Sequence, residues 1–316
     1  YVKNTNITVQ HIEQGHVFDL EINVYYEQEH ASVRIVDTHT NIVQIEKNWQ
    51  VIFEDKTTSL ELKADHSALI MKQIWDFSQT VDIDDVKEIL DRQIACNMAI
   101  ANEGIHNSYG ANIGHVILNM DSDCVKTRAK AYAAAGSDAR MNGCELPVVI
   151  NSGSGNQGIT CCVPVVVYAK ELDCTQKQLY RALVLSNLTA IYIKTGIGTL
   201  SAFCGAVSAG AAAGAGIAYL HNGTYKEIQH TIVNALAILS GTICDGAKAS
   251  CAAKIASSVD AGIMGYYMYK NKQQFYAGDG IVAHSVDETI QNIGTLGSQG
   301  MLQTNDKIIE MMISCD

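Results

Sequence analysis

Two groups of residues in this 316-residue sequence have types and spacing that could do chemistry: a loop crowded with glycine and neutral donors, and three widely separated thiols. The loop is Asn151-Ser152-Gly153-Ser154-Gly155-Asn156-Gln157-Gly158, preceded by the apolar run Leu146 to Ile150 and by Ser137-Asp138-Ala139-Arg140-Met141-Asn142-Gly143. Glycines leave backbone N–H groups accessible and allow positive φ, so such a loop suits a carboxylate or phosphate. Asn151, Ser152, Ser154, Asn156 and Gln157 are its candidate substrate-binding side chains, with Arg140 a supporting charge. An ordinary surface turn is the plainer alternative.

Taken literally, Gly153-x-Gly155-x-x-Gly158 satisfies the dinucleotide-binding fingerprint. The context argues against it. Ile159 to Val167 is rich in β-branched residues and holds Pro164, and no βαβ unit with a ribose-binding carboxylate follows.

The thiols are Cys204 in Ala202-Phe203-Cys204-Gly205, Cys244 in Thr242-Ile243-Cys244-Asp245-Gly246, and Cys251 in Ala249-Ser250-Cys251. Their spacing matches neither a zinc ribbon nor a ferredoxin run. Three soft ligands would nonetheless suit a 4Fe-4S cluster whose fourth iron stays open as a Lewis acid. The alternative is that they are small buried hydrophobes, the expected role of most of the 10 cysteines, Cys161 and Cys162 included. His39 in Asp37-Thr38-His39-Thr40-Asn41 and His284 in Gly280-Ile281-Val282-Ala283-His284 could each move a proton near neutral pH, or simply end a strand or helix.

These residues must be positioned by two kinds of element. Apolar and polar residues alternate in Ile7 to Val9, Val17 to Tyr26, Ser32 to Val36 and Ile42 to Ile45, which predicts strands of a small antiparallel sheet. From Asp82 to Asn102, Val86, Leu90, Ile94 and Met98 fall on one face of a helix with Asp82 at its start. Ala-rich, Gly-punctuated segments then run to the end. The expected fold class is α+β: a β-rich domain over 1–80 and a mostly helical cluster- and substrate-binding domain over 81–316. Ser201 to Leu220 is long enough for a bilayer, but Ala and Gly dominate it, so a tightly packed buried helix is expected.

A net charge of -11 disfavours nucleic acid and anionic membranes as partners, leaving small solutes. No leader peptide opens the sequence, so a cytoplasmic location is expected, where disulfides are rare. The chain begins at Tyr1, without Met, which suggests material upstream.

Together these segments resemble the L-cysteine desulfidase family, related to the α-chain of iron–sulfur L-serine dehydratases. The likeness rests on Thr38 to Val43, Ser137 to Met141, Asn151 to Thr160, Cys244 to Ala247, Gly280 to His284 and Gln303 to Glu310. It implies a serine dehydratase alpha-like fold and β-elimination of sulfide from L-cysteine to give pyruvate and ammonia. It also implies a 4Fe-4S cluster on Cys204, Cys244 and Cys251, with no pyridoxal phosphate, and is compatible with a homo-oligomer. Cys251 is the least secure ligand, because its spacing from Cys244 is shorter than in the dehydratases. The family's Gly-Cys-Thr-Glu-Pro motif has no counterpart in this sequence. L-serine dehydration, a truncated amino-acid-binding relative without turnover, and a zinc-stabilised structural protein are the rival expectations.

Overall fold

Alternating apolar and polar residues become a four-stranded antiparallel meander, β1 (Asp19–Tyr26), β2 (Glu29–Val36), β3 (Ile42–Lys47) and β4 (Gln50–Glu54), hydrogen-bonded in sequence order. The computed structural model describes residues 6–10, 12, 18–37, 40–55, 65–198 and 200–314. Between β3 and β4, Asn48 and Trp49 both take positive φ (50° and 66°), the backbone of a tight two-residue hairpin. Across β1 and β2, Arg34 grips Asp19 through two N–H donors at 2.9 and 2.6 Å, which fixes the register of that pair. Ile7 to Val9 belongs to no strand, contrary to its alternation, because no neighbouring strand pairs with it.

Two compact units divide the chain: one holds the sheet up to Asp65 together with residues from Lys307 on, the other runs from His66 to Asp306. The second unit is helical. It contains α1 (Met71–Thr80), α2 (Ile83–His106), α3 (Ile113–Met120), α4 (Val125–Met141), α5 (Gly155–Glu171), α6 (Gln176–Ile197), α7 (Gly205–Leu220), α8 (Tyr225–Ile238), α9 (Cys251–Lys270) and α10 (Val286–Thr295). A π-helical turn, Leu296–Gly300, leads to α11 (Leu302–Ile313). Asp82 caps α2 by accepting from the Asp84 amide at 3.1 Å. Capping boxes start α6 (Thr175 with Gln178), α8 (Thr224 with Glu227) and α10 (Ser285 with Glu288).

The uncharged stretch after Ser201 forms α7, almost wholly buried. Its glycines let backbones touch: a Cβ at Gly210 would lie 2.3 Å from the Ser258 carbonyl oxygen, and one at Gly262 would lie 2.2 Å from that of Gly210. Helices α7 and α9 therefore pack backbone to backbone, an approach that side chains would forbid. Among the described residues no helix is long and apolar enough to cross a membrane.

Candidate active site

The glycine loop is a tight turn feeding a helix. Asn151 and Ser154 exchange backbone hydrogen bonds at 3.1 and 3.0 Å, while Ser152 (φ 49°) and Gly153 (φ 77°) supply the left-handed corner between them. Ser154 then caps α5, its Oγ accepting from the Gln157 amide at 3.4 Å. The segment before the turn is held down by Asn97, fully buried in α2, which donates to the Val149 carbonyl (3.2 Å) and accepts from the Val149 amide (2.8 Å). Gly158 lets α5 sit against that segment, since a Cβ there would be 2.0 Å from the Val149 oxygen.

The five loop candidates divide by what their side chains do. Asn151 is buried and committed: its Nδ2 donates to the Asn187 side chain and carbonyl (3.0 and 3.2 Å), and its Oδ1 accepts from Ser152 (2.9 Å). Asn187 in turn exchanges two amide hydrogen bonds with Gln93 (2.8 and 2.9 Å). Asn156 faces Arg140, whose Nη1 donates to its Oδ1 at 3.4 Å. Gln157 is 6 % exposed, and its Oε1 is buried without a partner.

Two of the three thiols meet. The segments Ala202 to Cys204 and Thr242 to Cys244 run antiparallel, with Cys204 N–H donating to the Thr242 oxygen (3.1 Å) and Cys244 N–H to the Ala202 oxygen (2.6 Å). This bridge sets Cys204 and Cys244 side by side, so that the ionisation of each acts on the other. The bond from Cys204 draws the Cys244 thiol well down against the effect of burial, helped by the Gly246 amide, Lys254 and Lys194, while the same pairing and burial push Cys204 up. Cys204 is the N-cap of α7, and the next residue, Gly205, lies on the loop: a Cβ there would be 2.7 Å from Gln157 Nε2. The thiol pair and the end of the glycine loop thus form one site.

Cys251 opens α9 with its Sγ donating to the Gly246 oxygen at 3.6 Å. It is not gathered with the other two: among the described residues no three His, Cys, Asp or Glu side chains are grouped to hold a metal ion.

Cations surround the site. Arg140 ends α4 half-buried, its pKa lowered by desolvation with Cys251 opposing, and it stands against Gly155, where a Cβ would be 2.3 Å from its Nε. Among the described residues it has no carboxylate partner. Lys254 and Lys248 share Asp245: burial pushes that carboxyl up, but the two ammonium groups win and hold it down at about 2. Lys194, on α6, is 8 % exposed and desolvated, with Cys244 and Cys204 the charges that face it.

His284 lies in the helical unit but lines a different cavity of about 310 Å³ with Gln229, His230, Gln274, Tyr276 and Ser285, to which neither the loop nor the three cysteines contribute. His39 lies outside the described residues. Gln93, Asn97, Asn187 and Lys194 are the site's supports that sequence reasoning passed over or left unassigned. Buried amides with no charge and no motif carry no signal until the fold brings them together.

The chain can now be set beside known proteins. The model of the serine dehydratase alpha chain matches residues 20–310. A UPF0597 protein of Desulfitobacterium hafniense is 54% identical over 99% of this chain and 74% of its own length. One of Lachnoclostridium phytofermentans is 51% identical over 89% of this chain and 68% of its own, and one of Finegoldia magna 46% identical over 98% and 75%. No solved structure matches. With a family model spanning nearly the whole length and relatives this similar, the chain belongs to the serine dehydratase alpha chain family.

Proposed function

We propose that this chain catalyses β-elimination from a small amino acid, with L-cysteine desulfidation to pyruvate, ammonia and sulfide as the leading activity. The observation that carries the reading is the junction of Gln157 and Gly205, which joins a carboxylate-type cradle to a thiol pair. The donor chemistry fits a thiolate-bound iron–sulfur group: soft sulfurs on Cys204 and Cys244, cations around them, and an orphaned Gln157 oxygen beside them. Cys204 and Cys244 would hold it; the resemblance adds Cys251 as a third ligand, although the described side chains do not gather it with the pair. When bound, such a cluster supplies Lewis acidity toward the β-substituent.

The protein's own residues supply the rest. Arg140, half-buried and without a carboxylate partner among the described residues, binds the substrate carboxylate together with Asn156, Ser152 and Ser154. Asn151 shapes the turn. The buried Gln157 donates from Nε2 to the substrate, and its orphaned oxygen accepts from the substrate ammonium. Anchoring the carboxylate fixes Cα, so that loss of the α-proton and of the β-thiol as sulfide leaves aminoacrylate, which tautomerises and hydrolyses. His39 remains the proposed proton carrier; His284, on a separate cavity, is set aside for this step.

The test is anaerobic reconstitution with iron and sulfide, then assay of sulfide and pyruvate from L-cysteine and L-serine. Sulfide and pyruvate in equal amounts from cysteine is the expected result. Pyruvate from serine alone replaces desulfidation with dehydration, and amino-acid binding in the calorimeter without turnover would falsify the lyase reading.

A further inference from the structure

Pleating sends alternate side chains of a strand to opposite faces, and the two faces of the four-stranded sheet differ in kind. The pairing sets Glu21, Arg34 and Gln44 in one row and Asn23, Ser32 and Glu46 in the next, so one face is polar. The other face carries the rows between them. Ile22, Val33 and Ile45 stand in one, Val24, Ala31 and Lys47 in the next, and Ile52 joins them at the bulge between β3 and β4. Lys47 is the only charge in these rows, and it stands at the margin.

This apolar face is open. Ile22, Val24 and Ile52 are 54, 57 and 62 % exposed, and the face lines a hollow of about 320 Å³. None of its side chains joins a hydrophobic core of the described residues. A sheet with one apolar face is stable when another layer covers that face.

Size and shape indicate what the layer is. Strands of 8, 8, 6 and 5 residues, at about 3.4 Å per residue and about 4.8 Å between strands, give a face of about 450 Å² in projection. That is the scale at which an exposed apolar patch marks an interaction surface. Two such faces come to about 900 Å² in projection and more as accessible surface, which reaches the roughly 1,000 Å² that a specific interface needs. Amphipathic sheets pack face to face about 10 Å apart with their strands within about 30°, and a second copy supplies the matching sheet. The net charge of -11 makes two copies repel wherever charged surfaces meet, so a nearly uncharged face is where they can associate.

We propose that the apolar sheet face is a homodimer interface, in which Ile22, Val24, Val33, Ile45 and Ile52 of two copies pack across a two-fold axis. The proposal is independent of the chemistry assigned to the helical unit.

Sedimentation equilibrium over a concentration series tests it on the full chain as wild type, Ile22→Glu, Ile52→Glu and Ile22→Thr. Met120→Glu, at an exposed apolar position ending α3 in the helical unit, is the control. Far-UV circular dichroism checks that each variant is folded. Wild type and M120E should be dimers. I22E and I52E should be folded monomers, because a dimer would bury two carboxylates among apolar side chains. I22T keeps a β-branched residue in the strand, so it should stay folded while its dissociation constant rises about tenfold or more, apolar contact being lost in both copies at once. Should the glutamate variants fail to fold, I22T decides. A monomeric wild type overturns the proposal and leaves the face to a different protein or a lipid surface. A dimer unchanged in I22E, I52E and I22T, or one lost in M120E, overturns it by placing the association elsewhere on the chain.

Discussion

Two pairs of cysteines in the helical unit are both largely buried yet chemically opposite. Cys161 and Cys162 sit side by side in the middle of α5, fully buried, and desolvation pushes the Cys161 thiol up to about 12 and the Cys162 thiol well above its ordinary value. Cys204 and Cys244 are 40 residues apart in sequence numbering, meet at a bridge between two loop ends, and are faced by Lys194 and Lys254. There the pairing draws one sulfur down. Burial alone raises a thiol; burial beside a second sulfur and facing cations brings one of the two down, the state a soft-metal ligand would need. The difference lies in where the chain arrives: the mid-helix thiols are fully enclosed and meet no charged group, Cys161 donating only to the Gly158 carbonyl and the Asn187 amide oxygen, whereas a helix N-terminus and a loop end stand near cations.

Substitution should widen that contrast most at the bridge. Cys244→Ser is expected to lower turnover more than about 100-fold, because even groups one step removed from a metal are worth roughly 10- to 100-fold. Cys162→Ala should leave turnover within about twofold of wild type. Steady-state assays on the reconstituted proteins check both, and equal losses would erase the distinction between the pairs.

Arg140→Met comes next. Loss of a charged hydrogen bond to the substrate carboxylate, about 1.5–3 kcal/mol, should reduce kcat/KM about 10- to 100-fold, chiefly through KM, with iron content unchanged. Loss of iron instead would place Arg140 with the cysteines rather than with the loop.

Asn187→Leu should act on the loop without touching Cys204 or Cys244, although it removes the Oδ1 acceptor of the Cys161 thiol. It strands Gln93 and Asn151, each buried and committed to the Asn187 amide, at a cost of about 1–3 kcal/mol in unfolding free energy. Denaturant unfolding checks this, and an unchanged midpoint would show that the amide network is dispensable. The smallest effect belongs to the inert pair: Cys162→Ala should cost about 1 kcal/mol by packing alone, measured in the same way.

What was legible in the sequence follows the reach of each signal. Alternation marked most of the sheet, because strands β1 to β4 pair with their sequence neighbours. A cap and an apolar stripe marked α2, where Asp82 accepts from Asp84 as expected. Ala and Gly marked α7 as a close-packed helix. Met71–Thr80 is a helix of the second unit, although it lies in the segment expected to be β-rich. Ile159 to Val167 looked unlike a helix because it is β-branched and holds Pro164, yet it lies within α5, where burial in the core overrides propensity. In the site, glycine and cysteine could be singled out by type. Lys194 could not, since nothing in a sequence reveals that a lysine is largely buried, and Gln93 and Asn187 are brought together only by α2 packing on α6.

The most direct test counts iron and acid-labile sulfide per chain after anaerobic reconstitution of wild type, Cys204→Ser and Cys244→Ser, with Cys161→Ala as the control. Wild type and the control should each hold close to four of both, and the two serine variants should hold far less. Full iron and sulfide in both serine variants would contradict the assignment of the cysteine pair as the seat of the chemistry.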